Sequence, residues 1–566
     1  MGSGVGMNLY KQLSEERKEL QKQGTAPSWM TTAGWQLMKS RYLHGEETTP
    51  LAAYQRVSNH LAQYLPEEDQ TEYATRWTDY MWKGWLAPST PVLSNTGTGR
   101  GCSVSCSGAF VPDSIYGFYT AQLEAAMLSK NGFGISSYLG DVRGRGEPIS
   151  TGGSASGVLP LIKEFVELSK NVTQGGIRRG AWAGYLPIDH GDFEEVVHHL
   201  LNNPDDFNLG WCVSDEFVES LDAGDQESLR RFQKALYVKA ITGKGYFFFT
   251  DKVNKRNPLD LPVLASNLCT EITLPSNDDY TFTCVLSSLN IAKFREWQEH
   301  ETFVEDCILF LDMVAEDFIT RARDIKGLEK SVAYTERYRS LGLGALGFHT
   351  FLQQEGVAIE ELRAMFLNAE VFEHIHTRAA EASVRLGKRF GIPEGCELLG
   401  RRNSHLLAIA PNTSSALLCG GVSQGIEPVV ANAFNQNMAS GEVSRISPVF
   451  LALAKEREKY NKELVEDIID HKGSVQHLDW LTENEKLIFK TAFEINQHVL
   501  IRLASQRQEW VDQAQSLNLF FAADEDEAYI AEVHAEAFRD PNLLSLYYMR
   551  TQAGVLASKD CISCEG

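Results

Sequence analysis

Several features are missing from this 566-residue chain, and each absence removes a class of function. No apolar run is long enough to span a bilayer, and the N-terminus lacks a basic segment followed by an apolar one. A secreted or membrane protein is therefore not expected, and the expected location is the cytoplasm. Basic charge is scarce: 53 Lys and Arg against 75 Asp and Glu leave a net charge of −22. Direct nucleic-acid binding and attachment to an anionic membrane are not expected, and an anionic ligand has to be held by local features. The ten cysteines have no regular spacing, so they do not form a secreted disulfide framework. In a reducing compartment they are expected to be mostly thiols, with any disulfide catalytic rather than structural. Cys102 and Cys106 have no histidine or further cysteine nearby, so no metal site is expected there. Internal repeats and low-complexity tracts are absent, and no glycine run has the spacing of a nucleotide-binding fingerprint.

What is present is the composition of an ordinary globular protein, 43% hydrophobic and 23% charged. Length alone suggests three or four domains, although a large barrel exceeds that prior. Residues 1–6 are Gly/Ser-rich, precede a second methionine and read as an expression remnant. Residues 8–86 read as helical, anchored by Trp35, Leu37, Met38, Tyr42 and Leu43. The Pro, Ser, Thr, Gly and Asn of 87–100 mark a loop. An amphipathic helix is expected over 117–130 and another over 159–168, the latter preceded by a Gly/Ser run at 152–157. The run Gln174 to Gly180 reads as a flexible basic loop, for which a solvated turn is the plain explanation. Apolar runs at 245–250 and 282–289 alternate with helices near 300–325 and 358–386, which makes the chain mixed α/β.

Chemistry concentrates at Asn267, Leu268, Cys269, Thr270 and Glu271. If the stretch is extended, an amide, a thiol and a carboxylate share one face. A thiol can be a nucleophile or a hydrogen-atom abstractor, a carboxylate can take a proton, and an amide can hold a hydroxyl. A buried cysteine between two solvated polar residues would give the same letters. Pro411, Asn412, Thr413, Ser414 and Ser415 precede an apolar segment, where hydroxyls at a helix start either cap it or hold a phosphate. Residues 510–518 close a long helical pattern. Tyr547 and Tyr548 lie in a short apolar run of the kind that supplies strand core and rim. The small, polar residues 550–566 end in Cys561, Ile562, Ser563 and Cys564, a pair suited to thiol–disulfide exchange.

Taken in this order, the segments resemble the catalytic large (alpha) subunit of class I ribonucleotide reductase from about Pro88 to the C-terminus. The carriers are Asn267 to Glu271, Cys284 to Asn290, Pro411 to Ser415 with Gly425 to Pro428, Asp512 to Asn518 and the paired tyrosines. The resemblance implies that Cys269 becomes a thiyl radical, that Glu271 takes the ribose 3′-hydroxyl proton and that Asn267 holds the sugar hydroxyls. It implies that Cys106 and Cys284 supply two electrons, with Cys102 competing for the place of Cys106, and that Cys561 and Cys564 reduce their disulfide and are recharged by thioredoxin or glutaredoxin. Tyr547 and Tyr548 would relay an electron hole from a separate small (beta) subunit, so no cofactor and no metal would be bound directly. Thr413, Ser414 and Ser415, with Thr90 and Ser105 nearby, would hold the substrate phosphates. Asp113, Ser114, Ile115 and Arg143 would bind deoxynucleoside triphosphate or ATP effectors, and the Gln174 to Gly180 loop would carry that signal.

The implied fold is a ten-stranded α/β barrel with a central finger loop, residues 87–549, after a helical region 1–86 and before a redox tail 550–566. A homodimer is implied. Fewer than ninety residues precede the Pro88 loop, without a matching basic-glycine motif, so the N-terminal ATP cone of many members is not expected. Two rivals stand beside this reading: an adenosylcobalamin-dependent class II reductase, against which the tyrosine pair speaks, and a non-catalytic nucleotide-binding regulator, which gives no reason for five cysteines to be kept together.

Overall fold

The computed structural model describes residues 3–173, 180–438 and 441–552. Most of the Gln174 to Gly180 loop and both tail cysteines, Cys561 and Cys564, lie outside the described residues.

The chain begins with helices, among them Pro50–Ala62 and Glu67–Trp82. They dock through a long helix, Phe303–Ala322, that is buried on nearly every side. Three acids on that helix do the joining. The backbone oxygen of Asp306 accepts from Trp77 Nε1 at 2.8 Å, and Asp317 Oδ1 accepts from Tyr64 at 2.8 Å and lies 2.7 Å from His60 Nε2. Asp312 meets Arg339 at 2.8 Å and Arg402 at 2.7 Å. Burying carboxylates is costly unless each is paired, and here each is paired to a different part of the chain. The helix thus fixes the helical region against the sheet it leads into.

That sheet starts at β1 (Leu86–Pro88), antiparallel to β7 (Phe282–Asn290). Five strands follow as mutually parallel neighbours: β2 (Cys106–Phe110), β3 (Gly134–Tyr138), β4 (Trp182–Pro187), β5 (Asn208–Val213) and β6 (Tyr246–Phe249). Their nearly continuous apolar letters, Tyr246 to Phe249 above all, suit strands covered on both faces. β7 lies antiparallel to β2, and β8 (Leu341–Leu346) is parallel to β7. Beyond β8 the wall continues through runs that are less regular. Residues 405–410 bond to β8, residues 513–517 bond to 407–409, and Tyr547 N–H donates to Leu517 at 2.8 Å. Strand pairing elsewhere joins β9 (Ala433–Met438) to β10 (Gly441–Ile446) in a hairpin and β11 (Leu519–Phe521) to β13 (Met549–Thr551) in parallel. The short β12 (Ser545–Leu546) pairs antiparallel with β6, which closes the wall. The closed wall therefore holds ten runs, two parallel sets of five that meet antiparallel at β2/β7 and at β12/β6.

Two expectations change. The short run 87–100 contains a helix, Thr90–Asn95, immediately after β1. Residues 511–518 do not continue a helix: Gln497–Arg507 stops at Arg507, and the segment enters the wall as an extended run. Its polar residues are needed as partners inside the barrel, which outweighs its helical spacing. Among the described residues no helix is long and apolar enough to cross a membrane.

Candidate active site

The Asn267 to Glu271 stretch is neither strand nor helix; it turns inside the barrel. Ser136 on β3 donates to Ser266 O at 2.7 Å, Tyr185 on β4 to Asn267 O at 2.6 Å, and Ser545 to Thr270 O at 2.9 Å, while Ala514 N–H reaches Glu271 O at 2.8 Å. The extended arrangement fails because Thr270 sits at φ 63°, a left-handed conformation that a β-branched residue rarely adopts. That kink is held by Asn267, whose Oδ1 accepts from the N–H groups of Glu271 at 3.1 Å and Ile272 at 3.3 Å. Asn267 and Glu271 turn their side chains toward Cys106 on β2 while Cys269 takes the opposite side, so the turn rather than strand alternation decides where each side chain faces.

Asn267 Nδ2 donates to Cys106 Sγ at 3.4 Å, and Cys106 Sγ lies 4.0 Å from Glu271 Oε1. Cys106 is directly opposite Cys284 in the β2/β7 register. Opposed antiparallel residues have Cα atoms about 4.5–5.5 Å apart, within the span of a disulfide. Cys102 instead lies buried in the preceding loop, where burial raises its thiol to about 12 and Asn95 holds its carbonyl oxygen at 2.8 Å. Room beside Cys284 is kept by Gly342 on β8, where a Cβ would stand 2.3 Å from Leu286 Cδ2 and 3.0 Å from Cys284 Sγ.

Burial raises the Glu271 carboxyl to about 7, against hydrogen bonds from its own N–H, Asn267 and Ser516 that favour the charged form. Ser516 Oγ is 2.7 Å from Cys269 O and 3.2 Å from Glu271 Oε2. Gln513 Nε2 donates to Cys284 Sγ at 3.3 Å, and its Oε1 takes the Thr273 N–H at 3.0 Å. Burial pushes the Cys284 thiol well up, so it is held protonated.

Cys269 faces the other side of the turn, in an apolar nest with Leu268, Tyr246 and Tyr547. Tyr547 donates to Cys269 Sγ at 3.4 Å, and the Tyr547 and Tyr548 rings are 4.3 Å apart between centroids. The Tyr246 ring lies 4.8 Å from that of Tyr547, tilted by 45°, and Tyr246 donates to the Tyr548 hydroxyl at 3.2 Å.

At one end of the barrel, Asn412 takes a left-handed conformation and bonds Ser288 on β7 at 2.8 Å and Ala345 on β8 at 3.2 Å. This sets the start of the helix Thr413–Leu418 against the wall, and the Asn412 side chain makes no cap hydrogen bond to it. Ser414 and Ser415 are buried, and Ser415 lines a small cavity with Ala87 and Pro88. Thr90, next along, shares a hydrogen bond of 2.9 Å with Tyr42. Ser105 Oγ is 3.9 Å from Cys106 Sγ.

The remaining expected residues form a separate group. β2 begins at Cys106 and leads to Asp113 beyond its far end, a strand length of roughly 17 Å. There Arg143 pairs with Asp113 at 2.7 Å, Ser114 caps the helix Ile115–Lys130, and Ile115 is 70% exposed.

Sequence reasoning missed Gln513, Ser516 and Tyr246 as individuals. The one signal for Gln513 and Ser516 was polar density, with Gln513, Gln515, Ser516 and Asn518 crowded into a segment flanked by apolar residues, and Tyr246 had none beyond its apolar run. Among the described residues one group of metal-capable side chains gathers, Asp467, His471 and His477. Its imidazoles stack face to face at 3.6 Å, and each turns a ring nitrogen to the Asp467 carboxylate.

Comparison with known proteins matches this arrangement. The family model described as the ribonucleotide reductase barrel domain matches residues 104–237, 230–397 and 392–549, and the all-alpha domain matches 28–101. The ribonucleoside-diphosphate reductase large subunit of Invertebrate iridescent virus 3 is 30% identical over 94% of this chain and 98% of its own length. That of Danio rerio is 27% identical over 83% of this chain and 69% of its own. The Actinobacillus ureae class Id ribonucleotide reductase alpha subunit superposes with a TM-score of 0.84 at 35% identity, over 95% of this chain and 99% of its own. Such relatives set aside the adenosylcobalamin-dependent reading and the non-catalytic one. The chain belongs to the ribonucleotide reductase large-subunit family, as the catalytic subunit of a class I ribonucleoside-diphosphate reductase.

Proposed function

We propose that the residues gathered on the inner turn reduce the ribose 2′ position as follows. Cys269, as a thiyl radical, takes the 3′ hydrogen and becomes a thiol, while Glu271 accepts the 3′-hydroxyl proton and Asn267 holds the sugar hydroxyls. The 2′ hydroxyl leaves as water with a proton from the facing thiols. Cys106 and Cys284 then close as a disulfide, their two electrons and remaining hydrogen going to C2′, while Glu271 returns its proton to the 3′ oxygen and Cys269 its hydrogen to C3′, which regenerates the thiyl radical. The balance is one ribonucleoside diphosphate and one dithiol in, one deoxyribonucleoside diphosphate, one disulfide and one water out. The observation that carries this reading is the pairing of Cys106 with Cys284 beside Asn267 and Glu271, with Cys269 bonded to Tyr547 behind them. Water exclusion suits a radical, and every residue of the turn from Ser266 to Glu271 is buried.

The remaining parts follow the same reading. Thr413, Ser414 and Ser415, with Thr90 and Ser105, take the substrate phosphates. Asp113, Ser114, Ile115 and Arg143 take a nucleoside triphosphate effector, and the loop at 174–180 carries its signal. Cys561 and Cys564 reduce the internal disulfide and are recharged by thioredoxin or glutaredoxin in the cytoplasm. A separate small subunit supplies the radical through Tyr548 and Tyr547, so this chain binds no radical-generating cofactor of its own. A homodimer is supported by the apolar face of Ile115, Tyr116, Tyr119 and Leu123, which stands exposed on one helix.

The test is ribonucleoside diphosphate reduction with dithiothreitol and an effector, with and without the cognate small subunit. Turnover should require the small subunit and vanish in Cys269→Ser and in Tyr548→Phe. Turnover retained in Cys269→Ser would overturn the mechanism.

A further inference from the structure

Adjacent residues of a regular strand point to opposite faces, yet the Tyr547 and Tyr548 rings touch, with centroids 4.3 Å apart and planes at 55°. The backbone between them must leave strand geometry, and the interruption between β12 and β13 falls at this point. Ladder bonds continue on either side: Tyr547 N–H to Leu517 O at 2.8 Å, Leu519 N–H to Tyr548 O at 3.1 Å and Met549 N–H to Gly243 O at 3.3 Å. The peptide joining the two tyrosines is gripped differently. Its carbonyl accepts from Lys239 Nζ, and its N–H donates to Asn518 Oδ1 at 2.9 Å.

Both grips are buried and anchored elsewhere. Lys239, in the last turn of the helix Gln226–Thr242, has no exposed surface and also donates to Gly245 O at 2.9 Å, just before Tyr246. It faces the Phe247 ring at 5.3 Å and, from the helix Glu527–Arg539, the buried His534; burial without a carboxylate partner pulls its amine down to about 7. An amine is expensive to bury in this way unless its donors are used. Asn518, equally buried, donates through Nδ2 to Glu427, in the turn that follows the Pro411 to Ser415 segment.

We propose that Lys239 and Asn518 are positioning residues that clamp the Tyr547–Tyr548 peptide and so hold the two rings in contact for hole transfer to Cys269. This rests on the relay reading above. Through Glu427 the clamp is anchored in the turn at 424–427, which lies outside the residues assigned to the substrate phosphates.

The experiment uses the reconstituted enzyme with its small subunit and compares Lys239→Met, Asn518→Leu, the double variant, and Lys239→Gln, which keeps an N–H donor. Misplacing reacting groups by about 1 Å costs on the order of 10²-fold. Each single variant should lower kcat by roughly 10- to 100-fold with KM for the ribonucleoside diphosphate unchanged, and should slow decay of the small subunit's oxidant on mixing by the same factor. Lys239→Gln should recover part of the rate. The double variant should fall little below the worse single variant, because both grips act on one peptide. Tyr547→Phe and Tyr548→Phe are the controls: if they turn over, the relay reading itself fails. If they are dead while the clamp variants keep full rate, the clamp is refuted. It is refuted equally if the clamp variants raise KM, weaken effector binding or multiply in effect, since a merely structural role behaves that way. Should Lys239→Met fail to fold, Lys239→Gln and Asn518→Leu carry the same comparison.

Discussion

Removing the Ser516 hydroxyl tests whether Glu271 is the base. With its carboxyl raised to about 7, Glu271 is about half ionised at neutral pH, so turnover should climb with pH through a limb near that value. Ser516 carries one proton and two acceptors, the Cys269 carbonyl at 2.7 Å and the carboxylate at 3.2 Å. Its bond to the carboxylate is therefore a shared one, worth about 1 kcal/mol, less than the roughly 1.5–3 kcal/mol of an unshared bond to a charged group, and this corresponds to about 0.7 of a pH unit. Ser516→Ala should move the limb upward by about that amount, lower kcat/KM roughly threefold at pH 7 and restore it near pH 9. Glu271→Gln should remove the limb and lower the plateau by roughly 10²- to 10⁴-fold. The assay is ribonucleoside diphosphate reduction from pH 5.5 to 9 for all three proteins under one set of reductant and small-subunit conditions, so that their own pH dependences cancel. A limb in Ser516→Ala that coincides with the wild type would refute the assignment. The same shift has a sign for stability. A raised carboxyl favours the fold below its unfolded value near 4.3, and this contribution is lost as pH rises through about 7.

Mild oxidation followed by peptide mapping should yield a Cys106–Cys284 disulfide and no Cys102–Cys284 one, because only the former pair is opposed across two strands; the reverse result would overturn the cysteine assignment. Gln513→Leu should destabilise the protein by about 1–3 kcal/mol in denaturant melts, since it strands the buried Thr273 N–H. Asp312→Ala should cost about 3–5 kcal/mol by removing the acid between Arg339 and Arg402 and leaving Glu316 as the acid on Arg339, and a wild-type melting temperature would contradict the buried network.

The chemical letters of the site were easier to read than its geometry. Asn267, Cys269 and Glu271 were identifiable because their functional groups suit one reaction, whereas the way they divide between two sides of a turn, with β-branched Thr270 in a left-handed conformation and distant residues gripping the backbone, is tertiary. The strands at 246–249 and 282–290 were legible as apolar runs, since a wall covered on both faces needs no alternation. Residues 511–518 misled for the opposite reason. Their spacing looks helical, but local preference yields when side chains such as Gln513 and Ser516 are required as interior partners. The resemblance left Cys102 competing with Cys106, and the cross-strand register, which sets Cys106 opposite Cys284, supplies the physical ground for choosing. Lys239 carries no mark in the letters, and Asn518 only the polar density of its segment, because what gives them meaning is a single peptide contributed by another part of the chain.

The two places where the parallel sets meet antiparallel have a further consequence. β2/β7 carries the thiols assigned to two-electron reduction, and β12/β6 carries the tyrosines assigned to one-electron oxidation, with the inner turn between them. A closed wall built from two halves has two such borders, so oxidant and reductant can be admitted at separate frontiers and need never meet except through the substrate. The architecture acts as an insulator: it keeps the hole on the Cys269 face from being quenched by the very dithiol that the Glu271 face must hold ready.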